Sequence, residues 1–291
     1  MLEGSYTAIV TPFKTSGEID FSALEALTEY QVENGIDGIV AVGTTGESPT
    51  VSHEENVDIV KKVVSFSGSR TKVIAGTGSN STAEAIFMTE QIADTGASHS
   101  LQVSPYYNKP NQEGLYRHFS SIADACSIPI ILYNVPGRTG SSIDNDTILR
   151  LAKHENIVAV KEASGDLIKV SDLIQRKPPG FSVISGNDDS AFMLCALGGQ
   201  GVISVASNVA PALVISMIRD ILENNIEKSR ILHHKLSPLF SVLFCDANPI
   251  PVKYALSIMN LCEEKYRLPL CELSNEKKQL VASVLRSLDL V

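Results

Sequence analysis

The chain has 291 residues, 44% of them hydrophobic, and its 24 Lys and Arg against 33 Asp and Glu give a formal net charge of −9. This size supports a hydrophobic core without disulfides or metals, either as one large α/β domain or as two smaller domains. The acidic balance disfavours nucleic acid or an anionic membrane as the main partner, because both attract basic surfaces.

The cysteines and the N-terminus indicate the compartment. Five cysteines lie far apart without a CxxC pair, which predicts buried or free thiols in a reducing environment. The N-terminus carries the acid Glu3 where a secretory signal carries bases, so a cytoplasmic protein is expected. The uncharged run 190–218 is interrupted by glycines, Asn208 and Pro211, and we interpret it as a buried helix, strand and helix.

Eight short apolar runs recur along the chain, each followed by a helical pattern. Continuous apolar runs are typical of parallel strands covered on both faces, and their alternation with helices indicates repeated βα units. The predicted strands cover residues 6–10, 38–42, 73–75, 101–103, 130–133, 157–160, 181–184 and 202–205.

Capping boxes predict where three of the helices begin. In each box a serine caps the helix and the glutamate three residues later bonds back to it. The three boxes are Ser22/Glu25, Ser52/Glu55 and Ser81/Glu84.

The last part of the chain contains helical patterns and no strand signal. Helices are predicted at 226–243, 251–261 and 275–288, with short turns at Pro238, Pro249 and Pro251. We therefore expect an α/β fold in which a (β/α)8 TIM barrel occupies residues 1–224 and a helical extension, residues 225–291, packs on the barrel. A doubly wound open sheet is the alternative, because periodicity does not reveal whether a sheet closes.

In a (β/α)8 barrel the chemistry lies at the carboxyl ends of the strands, so the residues after each apolar run are the candidates. The second run leads into Gly43-Thr44-Thr45-Gly46, whose backbone N–H groups and hydroxyls suit a carboxylate or a phosphate. A tight βα turn built only for its geometry explains the same residues.

Three further side chains follow later strands. Tyr133 ends the fifth run and Arg138 lies on the loop beyond it; a phenol can relay protons and a guanidinium can hold a carboxylate. Lys161 ends the sixth run, where partial desolvation leaves more free amine to attack a carbonyl and form a Schiff base. The alternatives are a packed tyrosine, a surface arginine, and a lysine that pairs with Glu162 or reaches solvent.

Other polar and aromatic clusters have simpler interpretations. Tyr106 and Tyr107 form an aromatic pair on a loop, which is typical of a packed contact or a subunit interface. Asp188 and Asp189 open a helix, so helix capping is expected of them. The histidines lack ligand spacing, and we expect no catalytic metal.

Together these strand-end residues resemble the dihydrodipicolinate synthase family of pyruvate-dependent (β/α)8 aldolases and lyases. The resemblance covers almost the whole chain. Its motifs are residues 4–13, the loop 43–47, residues 133–140, the strand that ends at Lys161, and residues 248–253.

The resemblance implies that Lys161 forms an imine with pyruvate, without a cofactor. The enamine then attacks L-aspartate 4-semialdehyde, and cyclisation gives 4-hydroxy-tetrahydrodipicolinate, a precursor of diaminopimelate and lysine. It also implies a hydroxyl relay and a set of substrate-binding residues. The relay is Thr44, Tyr133 and Tyr107, and the substrate-binding residues are Thr45, Arg138, Ile203 and Gly186, with the Ile203 carbonyl facing the Lys161 amine.

The resemblance further implies a homo-oligomer, expected to be a tetramer, because a neighbouring subunit supplies Tyr107. Some members bind L-lysine as a feedback inhibitor at the same interface. Asn56 departs from the pattern of lysine-sensitive members, which often carry His there, and capping explains His53 and Glu84 equally well. The residues at the matching positions are Ser48, His53, Asn56, Asn80, Glu84 and Tyr106.

Two other functions remain open. Sister enzymes, N-acetylneuraminate lyase and aldolases of 2-keto-3-deoxy sugar acids, share the barrel and the imine lysine, but tend to carry other residues in place of Arg138. A non-catalytic barrel could instead sense pyruvate or lysine. Such a sensor is expected to have lost a relay residue, whereas all of them are present here.

Overall fold

The structure is a computed structural model that describes all 291 residues. Eight parallel strands follow one another around a closed barrel, and the last strand pairs with the first. The predicted barrel is therefore confirmed and the open sheet is excluded. The strands are β1 (Gly4–Ala8), β2 (Gly38–Ala41), β3 (Lys72–Gly76), β4 (His99–Val103), β5 (Ile130–Asn134), β6 (Ile157–Glu162), β7 (Ser182–Ser185) and β8 (Gly201–Ser204).

Helices alternate with the strands, and three more follow the barrel. The division after residue 224 stays a prediction, but α9 ends at Leu222, close to it. The helices are α1 (Phe21–Glu33), α2 (His53–Ser67), α3 (Thr82–Ala93), α4 (Gln112–Ala125), the short α5 (Pro136–Thr139), α6 (Asn145–Leu151), α7 (Leu167–Arg176), α8 (Asp188–Ala196), α9 (Pro211–Leu222), α10 (Ile226–Val242), α11 (Ile250–Ile258) and α12 (Asn275–Ser287).

The strands separate two apolar regions. A small core fills the barrel, and a larger one lies between the strands and the helices. Along β6, Ala159 belongs to the inner core and Val160 to the outer one. Because side chains alternate along a strand, Lys161 returns to the inside of the barrel.

The helix starts agree only in part with the predicted boxes. Ser52 and Glu55 form the complete box at α2. Ser81 accepts a hydrogen bond from the Glu84 N–H at 3.5 Å, but the Glu84 carboxylate bonds elsewhere. The prediction for Ser22 is wrong. Asp20 caps α1 instead, because its carboxylate accepts from the N–H groups of Ser22 and Ala23 at 3.1 Å, so that Ser22 lies in the first turn.

The run 190–218 forms α8, β8 and α9, as predicted, and no helix of the chain is long and apolar enough to cross a membrane. None of the five cysteines forms a disulfide, and Cys271 is exposed. The turn predicted at Pro238 is wrong, since this proline lies inside α10. Burial of Leu236 and Leu239 on either side holds the helix together there despite the missing backbone donor.

Candidate active site

Lys161 is a buried amine without an ionic partner. Its side chain is 6% exposed and makes no hydrogen bond or ion pair, and its Nζ lies 4.2 Å from the centre of the Tyr133 ring. Glu162, the partner considered from the sequence, accepts instead from the Asn134 amide at 2.8 Å and from the Ser164 N–H at 2.7 Å. No carboxylate therefore holds the Lys161 Nζ, which leaves this atom free to meet a substrate.

Neighbouring strands fix where the Lys161 side chain lies. Tyr133 on β5 and Ile184 on β7 are its partners in the strand register, so all three occupy one level of the barrel. A Cβ added at Gly186 would stand 2.9 Å from the Lys161 Cε. Only glycine leaves room for the lysine stem there. Ile203 lies buried on β8 as part of the inner core.

The loop after β2 presents unused hydrogen-bond donors. The N–H groups of Thr44 and Thr45 bond to no acceptor within the chain. The Thr45 hydroxyl accepts from the Asn248 amide at 3.0 Å, which leaves its own O–H proton free. Val42 and Glu47, at either end of the loop, have φ of 53° and 57°, a strained conformation for residues with a Cβ. Such donors suit a carboxylate group.

A cavity of about 410 Å³ opens beside these strand ends. Thr44 and Tyr133 form part of its wall, and Arg138 lines it with a guanidinium that makes no hydrogen bond or ion pair. Lys161 is not itself part of the wall, and neither are Thr45, Gly186 and Ile203. The Lys161 Nζ lies next to the wall, against the Tyr133 ring. Of the six residues at the lysine-site positions, Asn80 is not in the wall, and its amide donates to the Tyr106 carbonyl. The other five line the cavity: Ser48, His53, Asn56, Glu84 and Tyr106.

Of the three residues that the resemblance assigns to a hydroxyl relay, Tyr107 is the one that the chain does not bring to the cavity. Its side chain is 91% exposed, its φ is 72°, and its hydroxyl bonds to neither Thr44 nor Tyr133. The backbone of the neighbouring Tyr106 is tied down by Asn80, so the exposure of Tyr107 belongs to an anchored loop.

Sequence reasoning missed several polar contacts near the site. The helix-capping role expected for Asp188 is wrong, because its carboxylate accepts from the N–H groups of Val205 and Ala206, after β8, at 3.0 and 2.9 Å. Burial raises the pKa of Asp188. The bond from Asn248 to Thr45 was also missed. Such contacts join distant segments, and only the Asn248 motif, through the family resemblance, offered any signal for them.

A buried, unpaired lysine inside a (β/α)8 barrel, with a loop of free backbone N–H groups at the same strand ends, defines the class of Schiff-base-forming lyases and aldolases. Within that class the chain belongs to the dihydrodipicolinate synthetase family, whose model matches residues 1–288. The 4-hydroxy-tetrahydrodipicolinate synthase of Archaeoglobus fulgidus is 48% identical over 291 residues, covering 100% of both chains.

Solved structures agree with this assignment. Dihydrodipicolinate synthase from Aquifex aeolicus is 46% identical, with a TM-score of 0.98 over 99% of each chain. The Acinetobacter baumannii enzyme, complexed with pyruvate, is 43% identical with a TM-score of 0.98 over 100% of each chain. The Cyanidioschyzon merolae enzyme, with lysine bound, is 40% identical with a TM-score of 0.97 over 99% of each chain.

Proposed function

We propose that this protein is a lyase that condenses pyruvate with L-aspartate 4-semialdehyde to give 4-hydroxy-tetrahydrodipicolinate. The observation that carries the proposal is the buried Lys161 amine, which no carboxylate neutralises. Full-length relatives that carry the synthase name support the substrates and product, and the pyruvate complex of a relative supports the first substrate.

Lys161 acts as the nucleophile. Its Nζ adds to the ketone carbon of pyruvate, and the ketone oxygen leaves as water to give the imine. Loss of a methyl proton gives an enamine, whose carbon attacks the aldehyde of the second substrate. The amine of that substrate then attacks the imine carbon, which closes the ring and releases Lys161. Proton transfers in these steps are assigned to the hydroxyls of Thr44, Tyr133 and Tyr107.

The two carboxylate-bearing substrates need separate binding groups. The free N–H groups of Thr44 and Thr45, with the Thr45 hydroxyl, are assigned to the pyruvate carboxylate. The unpaired Arg138 guanidinium is assigned to the carboxylate of the semialdehyde. Gly186 admits the Lys161 stem, and the Ile203 carbonyl is assigned to face its amine.

The role assigned to Arg138 predicts that its loss weakens use of the semialdehyde and leaves pyruvate capture unchanged. Arg138→Ala is expected to raise KM for aspartate semialdehyde by about 10- to 100-fold, since a two-bond contact to a carboxylate is lost. The pyruvate concentration that gives half-maximal borohydride trapping at Lys161 is expected to stay unchanged. Arg138→Lys, which keeps the charge but not the paired bonds, should fall between. Equal damage to both substrates would contradict the assignment.

Turnover and borohydride trapping together also distinguish the proposed synthase from the sister enzymes. Turnover of aspartate semialdehyde is expected to exceed turnover of N-acetylneuraminate or 2-keto-3-deoxy sugar acids. A trapped imine without turnover of the semialdehyde would favour a sister enzyme. An unmodified Lys161 would instead favour a pyruvate or lysine sensor.

We also propose a cytoplasmic location for the enzyme. Immunoblotting of cell fractions tests this location, and the enzyme is expected in the cytoplasmic fraction.

We also propose that the enzyme is a homo-oligomer, with a tetramer as the expected form. The support is the exposed Tyr107, which the proposed relay requires and the isolated chain leaves outside the cavity. A monomeric synthase variant is among the solved relatives, at 42% identity. Sedimentation velocity is expected to give a mass above that of one chain, and a fully active monomer would refute the shared relay.

L-Lysine is proposed as a regulatory ligand of the same cavity. The His53 Nε2 lies 2.9 Å from the Glu84 Oε1, and Glu84 also accepts from Ser79. The Asn56 amide donates to the Gly76 carbonyl at 3.1 Å, which leaves its buried Oδ1 without a partner. A carboxylate and an unused amide oxygen suit an ammonium group. The lysine-bound relative supports this assignment.

Glu84→Gln is expected to weaken lysine binding at least about tenfold, because the charged hydrogen bond to the ammonium is lost. Titration calorimetry with L-lysine measures the change. Glu90→Gln is the matched control, since Glu90 is an exposed acid on the same helix. Equal affinity of both variants for lysine would count against the site.

A further inference from the structure

The loop after β2, which presents Thr44 and Thr45, contacts an ion pair that has no role in the proposed reaction. The Glu47 carboxylate and the Lys253 ammonium are 2.6 Å apart, and their side chains are 1% and 0% exposed. Glu47 ends the loop that presents Thr44 and Thr45, whereas Lys253 lies on α11, 206 positions away in sequence. The pair therefore joins the loop after β2 to the helices that follow the barrel.

The Lys253 ammonium is enclosed on its other sides by aromatic rings. It lies 4.3 Å from the centre of the Phe13 ring and 5.3 Å from that of Tyr266. Burial lowers the pKa of Lys253, and the Glu47 carboxylate opposes that shift by favouring the charged form. Because Glu47 engages the fully buried ammonium, Lys253 acts through Glu47 rather than on a substrate.

The loop is held at more than one point. The second Glu47 oxygen accepts from the Arg267 N–H at 3.3 Å, and the Asn248 amide donates to the Thr45 hydroxyl at 3.0 Å. Glu47 has a φ of 57°, which costs a residue with a Cβ free energy and needs a tertiary contact to hold it. The ion pair is that contact, and it fixes the residue two positions after Thr45.

We infer that Lys253, Glu47 and Asn248 are positioning residues for pyruvate, so that the helices after the barrel set the geometry of the carboxylate-binding loop. The inference rests on the proposed function. Preorganised donors bind and orient a carboxylate without further ordering, so a loop released from its anchors is expected to bind pyruvate more weakly. Arg138, on the loop after β5, lies outside these anchors, and use of the semialdehyde is expected to persist.

The test removes both charges together, because removal of one leaves the other unpaired in the core. The double variant Glu47→Gln, Lys253→Met is expected to raise KM for pyruvate, and the pyruvate concentration for half-maximal trapping, by about 10- to 100-fold. KM for aspartate semialdehyde is expected to stay within about twofold. Asn248→Ala keeps the pair, removes the bond to Thr45, and is expected to shift the same pyruvate parameters.

The matched control is Glu264→Gln with Lys278→Met, which removes a 2.7 Å ion pair in the same part of the chain, outside the loop. Both KM values are expected to stay at the wild-type level. The inference is overturned if wild-type Lys161 is trapped and both test variants trap pyruvate as the wild type does. It is also overturned if KM rises equally for both substrates. A wild-type protein unmodified at Lys161 would overturn the proposed function itself.

Discussion

Lys161→Ala is expected to abolish imine formation with pyruvate and to lower kcat/KM at least about a thousandfold, because no other group can form the covalent intermediate. The chain's other buried lysine, Lys253, is paired with Glu47, whereas Lys161 has no ionic partner. Borohydride reduction in the presence of pyruvate, followed by peptide mass mapping, measures the modification, and steady-state kinetics measure the loss.

Lys153→Ala is the control for this prediction, since Lys153 is an exposed lysine beyond α6 and outside the cavity. It is expected to trap pyruvate at Lys161 as the wild type does. Lys161→Arg keeps a positive charge but offers no amine for an imine, and is expected to be as inactive as the alanine variant. Pyruvate trapped on another lysine of Lys161→Ala, with activity retained, would refute the mechanism.

Much of the fold follows from local patterns in the sequence. The continuous apolar run 130–133 is typical of a strand covered on both faces, and all five residues of β5 are indeed buried. The same patterns predict Lys161 at a strand end. They do not reveal that it lacks an ionic partner, because this depends on Glu162 bonding to Asn134 and Ser164 instead.

The contacts that the sequence did not predict are of two kinds. Some join distant parts of the chain, and at one helix start two residues compete to cap the same helix. The pair between Glu47 and Lys253 spans 206 positions, and no periodicity encodes such a partner. At α1 the error was local, because Asp20 and Ser22 are both good caps and the carboxylate reaches two N–H groups. Asp188 looked like a cap because the loop after β8 that it binds becomes its neighbour only when β7 and β8 pair.

The position of Tyr107 makes the proposed relay testable by mixing two defective proteins. Thr44 and Tyr133 line the cavity of their own chain, but Tyr107 stands outside it and exposed. If a partner supplies Tyr107, each site contains Lys161 from one chain and Tyr107 from another. Tyr107→Phe alone is expected to lower kcat at least about tenfold through loss of a proton-transfer group.

Co-expression of Lys161→Ala with Tyr107→Phe is then expected to restore about a quarter of the wild-type activity, since half of randomly assorted dimers are hybrids and one of their two sites is intact. The intact site combines Lys161 of the Tyr107→Phe chain with Tyr107 of the other chain. Lys161→Ala with Tyr133→Phe is the control, and no recovery is expected because both residues belong to one chain's site. Hybrids that form but stay inactive would mean that Tyr107 serves its own chain, whereas an unchanged kcat of Tyr107→Phe alone would mean that it has no part in the relay.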